Sequence, residues 1–118
     1  MVDKRESLRM GLDAEKAVGA FLRSEDWTIL GHRWRGGGGE LDLIAIKDRM
    51  LRFIEVKYRQ VNDPVGLEAV DGRKMKKLER AAAAFLQDFT EFDEVCFAVA
   101  YVVRGASGWN IEFLDNPR

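Results

Sequence analysis

At about 100° per residue, Leu8, Leu12, Glu15, Val18, Gly19 and Leu22 line up on one stripe, which predicts a helix over residues 7–24. Glu15 stands inside that apolar stripe, and a carboxylate turned toward a core needs a partner. Gly11 and Gly19 beside it predict a close approach of the helix to a sheet. Over residues 27–35 the period changes to two: Trp27, Ile29 and Gly31 alternate with Thr28, Leu30 and His32, as in a strand. Gly36, Gly37, Gly38 and Gly39 then predict a flexible connection. Gly39-Glu40-Leu41-Asp42-Leu43-Ile44-Ala45-Ile46 and Leu51-Arg52-Phe53-Ile54-Glu55-Val56-Lys57 read as two strands of a hairpin turning at Lys47 to Met50. Both of its faces are apolar, with Leu41, Leu43, Ile54 and Val56 expected on one and Ile44, Ile46, Leu51 and Phe53 on the other. A strand pair buried on both sides implies layers above and below. Asp63-Pro64 suits the start of a further helical region. Its firm part spans residues 73–89, with Met75, Leu78, Ala82, Phe85, Leu86 and Phe89 on one stripe. A dense apolar strand follows over residues 95–103, a turn at Gly105 to Gly108, and a last strand over residues 109–114. The order α-β-β-β-α-β-β predicts an α/β fold: a mixed five-stranded sheet flanked by helices.

The hairpin register brings chemistry with it. If Ile46 opposes Leu51, then Ile44 opposes Phe53, Asp42 opposes Glu55 and Glu40 opposes Lys57. Opposed residues of an antiparallel pair have Cβ atoms roughly 5 Å apart, and like charges placed so destabilise a sheet. Crowded carboxylates repel unless one is protonated or a cation joins them. A divalent metal bound by Asp42 and Glu55 would make the arrangement tolerable. Glu55 and Lys57 are two apart and so share a strand face. In this register Glu40 pairs with Lys57 and supports it.

Composition narrows the choice. The 118 residues suggest one domain over residues 1–118, and 47% hydrophobic residues are enough for a modest core. A net charge of −1 gives no global sign of nucleic acid, so a binding surface would need local clustering. The single cysteine, Cys96, excludes an internal disulfide and a multi-cysteine zinc site. No apolar run reaches the roughly 18 residues that span a membrane, and the charged amino terminus is unlike a signal peptide. The expectation is a cytoplasmic protein with no membrane partner.

Asp42 and, after twelve residues, Glu55-Val56-Lys57 resemble the (P)D…(D/E)xK signature of the restriction-endonuclease-like nuclease superfamily. Leu41 stands where that signature often has proline, which is not a ligand. Glu15 resembles the helical acidic residue of archaeal-type Holliday junction resolvases. More closely, Ala14-Glu15, Gly39-Glu40-Leu41-Asp42-Leu43-Ile44-Ala45 and Phe53-Ile54-Glu55-Val56-Lys57, with Lys74 downstream, look like the YraN-like family of small bacterial proteins. The resemblance implies a restriction-endonuclease-like core and DNA as partner. It also implies Mg²⁺, with Mn²⁺ as substitute, held by Asp42, Glu55 and the Val56 carbonyl. Lys57 and Glu15 would complete the catalytic set, and a resolvase would act as a homodimer.

Several cations are candidates for holding phosphate. Arg33 and Arg35 flank Trp34, which either stacks on a base or fills the core at a strand end. Arg73, Lys76, Lys77 and Arg80 lie away from the apolar stripe, as a solvated face or a ridge along phosphates. Lys77 is the candidate from that ridge. Lys74 flanks the stripe and is expected to point toward the acids, and Arg59 follows the motif closely. Two readings result: a metal-dependent endonuclease acting on branched or otherwise structured DNA in repair or recombination, or a non-catalytic nucleic-acid-binding module on the same fold.

Overall fold

The first apolar stripe folds into α1 (Lys4–Ser24), and Ala14, Val18 and Leu22 are at most 1% exposed. Leu8, expected on the buried stripe, is 61% exposed; cover begins further along, at the half-buried Leu12. Ala14 takes a central place that the larger apolar residues alone did not mark. The helix ends in a Schellman arrangement: Asp26 has φ 69°, and the Trp27 N–H donates to the Leu22 carbonyl at 2.9 Å. The computed structural model describes residues 4–59 and 72–116, so the helix start expected at Asp63-Pro64 lies outside the described residues.

Strands β1 (Thr28–Gly36), β2 (Gly39–Lys47) and β3 (Met50–Arg59) form a meander. Helix α2 (Gly72–Leu86) precedes β4 (Glu94–Gly105) and β5 (Gly108–Asp115). The sheet order is β1-β2-β3-β4-β5, with β3 and β4 parallel and the other neighbours antiparallel. This is the mixed α/β architecture that the element order predicts. α2 stops at Leu86, short of the expected Phe89, yet Phe85, Phe89 and Phe92 continue its apolar row by ring contact. The helices cover opposite faces. α1 packs its buried residues with Leu43, Ala45, Ile54, Ala98, Ala100 and Val102. α2 brings Leu78, Ala81 and Ala82 to Ile44, Leu51, Phe53, Val99 and Tyr101.

The four glycines do not form a flexible connection. Gly36 pairs with Gly39, and Gly37 and Gly38 both have positive φ, 59° and 83°, as a tight primed hairpin turn requires. The turn rests on the α2 backbone: a Cβ at Gly39 would stand 2.1 Å from the Lys77 carbonyl oxygen, and one at Gly37 2.6 Å from that of Arg80. Gly39→Ala is therefore expected to cost roughly 2–4 kcal/mol in urea unfolding, because helix backbone cannot move aside as a side-chain tip can. At Gly38 a Cβ meets nothing within 4 Å, so Gly38→Ala should cost only about 1–2 kcal/mol, for its positive φ. Equal losses in the two variants would show that seating on α2 is not what the glycines serve. Gly11 and Gly19, by contrast, do not mediate close approach to the sheet. A Cβ at Gly11 meets nothing within 4 Å, and one at Gly19 meets only Arg23 of the same helix.

The β2–β3 hairpin has the expected register, Ile46 opposite Leu51 and Ile44 opposite Phe53, as far as Leu43 with Ile54; the expected Asp42–Glu55 pair lies beyond the end of the ladder. Another expectation fails: Leu41 and Leu43 lie on opposite faces, Leu41 with the α2 cluster and Leu43 with the α1 cluster. The pleat breaks between them. On β1, Trp34 pairs with Leu41 and His32 with Leu43, while Arg33 between them takes φ 52°. Trp34 fills the core, edge-on to Phe85 at 5.5 Å. Asp42 sits at the break.

Candidate active site

The same region ends the β2–β3 ladder. Its last pair in this direction is Leu43 with Ile54, and beyond it the Val56 N–H donates to Asp42 Oδ2 at 2.8 Å. A side-chain carboxylate thus replaces a backbone carbonyl as acceptor and is held at the mouth between the strands. Glu15 of α1 and Glu55 of β3 are buried, 7% and 8% exposed, and Asp42 is within hydrogen-bonding reach of both. Three carboxylates from three elements therefore meet.

Electrostatics follow from that convergence. Burial, then the Asp42 charge, pushes the Glu15 carboxyl from an ordinary 4.5 up to about 7, against the pull of Arg33. Burial and Asp42, in that order, likewise push Glu55 up to about 7, although Lys74 favours its ionised form. The cations sit on opposite sides: Arg33 Nε lies 3.9 Å from Glu15 Oε1, and Lys74 Nζ lies 2.5 Å from Glu55 Oε1. Lys74 thus points toward the acids, as its place beside the apolar stripe implies, and its direct contact is Glu55.

Other candidates are placed differently. Glu40 does not pair with Lys57. It lies opposite Arg35 on β1, accepts from Arg35 Nε at 3.0 Å and lies 3.7 Å from Arg33 Nε, because the β2–β3 ladder has already ended. Lys57 stays in regular register on β3, opposite Tyr101 of β4, which gives it the face of Glu55; it is half-buried. Arg59 turns back over the Tyr101 ring, 5.7 Å from its centroid. Arg35 and Lys77 line a second concavity beside the glycine turn, apart from the acids. The Val56 backbone lies between Glu55 and Lys57, and Val56 borders a cavity of about 600 Å³ that Glu15, Asp42 and Glu55 also line. Cys96 is half-buried, and burial pushes its thiol up.

The donor set suits a hard divalent cation. Among the described residues no group of three or more His, Cys, Asp or Glu side chains is arranged to hold a metal, so a ready-made cage of protein ligands is absent there. Mg²⁺ does not need one: it takes one or two carboxylates and keeps several waters. Asp42, Glu55 and the Val56 carbonyl fit that demand, and positive charge there would relieve the repulsion that raises Glu15 and Glu55.

A pH dependence follows. A carboxyl whose folded pKa exceeds its unfolded value favours folding below the unfolded value, and that contribution is lost as pH climbs through the folded one. Chelator-treated protein should therefore lose stability through these two groups as pH climbs from about 4.5 to 7. Denaturant melts at pH 5 and pH 8, with Glu55→Gln as comparison, measure this. The variant should show a flatter dependence, and equal slopes would contradict the assigned burial of charge.

Among the described residues no helix is long and apolar enough to cross a membrane. The model of the family described as Uncharacterised protein family UPF0102, the YraN family, matches residues 14–102, a span containing Glu15, Asp42, Glu55 and Lys57. A UPF0102 protein of Synechococcus sp. (strain JA-3-3Ab) is 41% identical over 115 residues, covering 93% of this chain and 86% of the relative. One from Gloeobacter violaceus is 40% identical over 111 residues, covering 91% and 86%. One from Pseudomonas entomophila is 36% identical over 110 residues, covering 90% and 89%. On the length of these matches, the chain belongs to the Uncharacterised protein family UPF0102.

Proposed function

We propose that this protein is a metal-dependent endonuclease that hydrolyses phosphodiester bonds of DNA, with branched or otherwise structured DNA as substrate in repair or recombination. The observation that carries the reading is the meeting of Glu15, Asp42 and Glu55 at a break in the sheet, with Lys57 on the face of Glu55. A purely structural role leaves the cost of burying mutually repelling carboxylates unexplained. The resemblance of Asp42…Glu55-Val56-Lys57 to the (P)D…(D/E)xK nucleases adds support.

Asp42, Glu55 and the Val56 carbonyl would hold Mg²⁺, or Mn²⁺ in its place. Bound there, the metal would polarise a phosphoryl oxygen and lower the pKa of water. Hydrolysis forms a bond from a water oxygen to phosphorus, releases that water's proton and breaks the P–O ester bond, whose oxygen takes up a proton. Lys57 neutralises charge on the pentavalent phosphorus or orients the attacking water. Glu15, on the α1 side of Asp42, accepts a hydrogen bond from that water. Arg33 and Lys74, which pair with Glu15 and Glu55, lie where an arriving phosphate would compete for them. Arg35, Lys77 and Arg59 would steer the backbone from further out.

A second reading, a nucleic-acid-binding module without turnover, is favoured by one observation: Lys74 already neutralises Glu55 at 2.5 Å. Incubating wild type and Glu55→Ala with Mn²⁺ and a panel of duplex, flapped and four-way DNA decides between them. Cleavage by wild type alone is the expected result. A panel left uncut by wild type would transfer the site to the binding module, and equal cutting by both would expose a contaminating nuclease.

A further inference from the structure

The acids share a cavity of about 600 Å³ with apolar side chains, Leu8 and Leu12 of α1 and Val56 and Tyr58 of β3, and with Lys4. Three features of this apolar lining have no part in holding a metal. Leu8 projects into solvent at 61% exposure. The Tyr58 ring is propped edge-on by Trp109, with centroids 5.9 Å apart and planes at 75°. Gly11 lines the cavity from the interior of α1, and a Cβ there would meet nothing within 4 Å. Glycine weakens a helix interior relative to alanine. No neighbouring atom requires it here, so what Gly11 provides is room beside the acids.

We propose that this apolar lining seats an unpaired nucleobase next to the scissile phosphate, so that the substrate class is DNA carrying a single-stranded or splayed nucleotide at the cut. The proposal rests on the nuclease reading and adds to it which DNA is taken. A phosphate drawn to Arg33 and to a cation that Asp42 and Glu55 would hold has its own nucleoside attached, and the apolar side chains line the same cavity as these residues. Bases stacked inside a duplex cannot reach such a lining. Extruding one costs energy, and least where it is already unpaired. Aromatic and aliphatic side chains accept any base by stacking, without reading its edge. The volume lies within the roughly 300–1,000 Å³ usual for small-ligand pockets.

The test uses a short single-stranded oligodeoxynucleotide of mixed sequence, a set in which one abasic position is moved along it, and a fully paired duplex. Affinities are measured with Ca²⁺ to prevent cutting, on wild type, Gly11→Ala and Gly11→Leu. Gly11→Leu is expected to bind the intact oligonucleotide about tenfold more weakly than wild type, the scale of one lost stacking contact. Its Mn²⁺ binding and melting temperature should stay at or above those of wild type. One abasic position should weaken wild type about equally and cost Gly11→Leu nothing further. Gly11→Ala, which adds the helix former without filling the cavity, should lie close to wild type. A flat abasic scan on wild type overturns the base subsite even if Gly11→Leu does not fold, and so does a Gly11→Leu isotherm that matches wild type. Wild-type protein that binds Mn²⁺ and duplex DNA but shows that flat scan leaves the nuclease reading standing and removes the subsite. Wild-type protein that binds no DNA removes both.

Discussion

Lys57→Ala is expected to slow DNA cleavage by about 10²–10⁴-fold, the scale on which one positioned proton-transfer or charge-stabilising group acts. DNA affinity should hardly change. Lys57 earns this weight from its position on β3. Phe53 and Leu51 of that strand bury against α2, Glu55 follows on the same face, and Lys57 follows Glu55 in regular register. It thus shares the strand face of the carboxylate that would hold the metal, on a strand anchored in the core on both sides. An interaction made only as charge builds on the phosphate should lower kcat with KM little altered. Lys57→Arg tests the geometry, since a planar guanidinium is not a compact ammonium, and should restore little. A loss confined to KM would make Lys57 a binding residue, and unchanged turnover would remove it from the site.

Asp42→Asn is expected to move activity and stability in opposite directions. Turnover should fall by more than about 10³-fold, because one of the two carboxylates proposed for the metal becomes neutral. The metal-free variant should nevertheless melt a few degrees above wild type at pH 8 and about equally at pH 5. The Asp42 charge is the second cause, after burial, of the raised pKa of both Glu15 and Glu55, and asparagine removes it while keeping an oxygen to accept from the Val56 N–H. Relief of about 1–2 kcal/mol corresponds to such a shift in a domain of this size. A variant less stable than wild type at pH 8 would mean that the Asp42 charge is compensated by groups other than those described. Active sites commonly hold strain of this kind at some cost in stability.

Much of this arrangement is legible in the chain because the hydrophobic period is clean where the core forms. Ile44, Ile46, Leu51 and Phe53 share one face of the hairpin, and the register that sets them opposite one another is the one found. Glu15 declares itself as a carboxylate on an apolar stripe, and its burial follows. The failures also have physical reasons. Strict alternation puts Leu41 with Leu43 and Glu40 with Lys57. It cannot anticipate the break at Asp42, beside which Arg33 of the neighbouring strand takes positive φ, a conformation that a non-glycine sequence does not announce. Local chemistry makes four glycines look like slack, whereas Gly37 and Gly39 are required by a helix that comes much later in the chain. Leu8 fits the helical period but extends past the cover of the sheet, so only the tertiary fold reveals it as exposed. The pairing of Lys74 with Glu55 was readable in direction but not in partner.

The most direct test is titration calorimetry of Mn²⁺ into chelator-treated wild type, Asp42→Ala and Glu55→Ala at pH 8. A saturable isotherm for wild type, lost or strongly weakened in both variants, is what a cation held by Asp42 and Glu55 requires. Isotherms that are alike in all three proteins would contradict a metal centre at this break in the sheet.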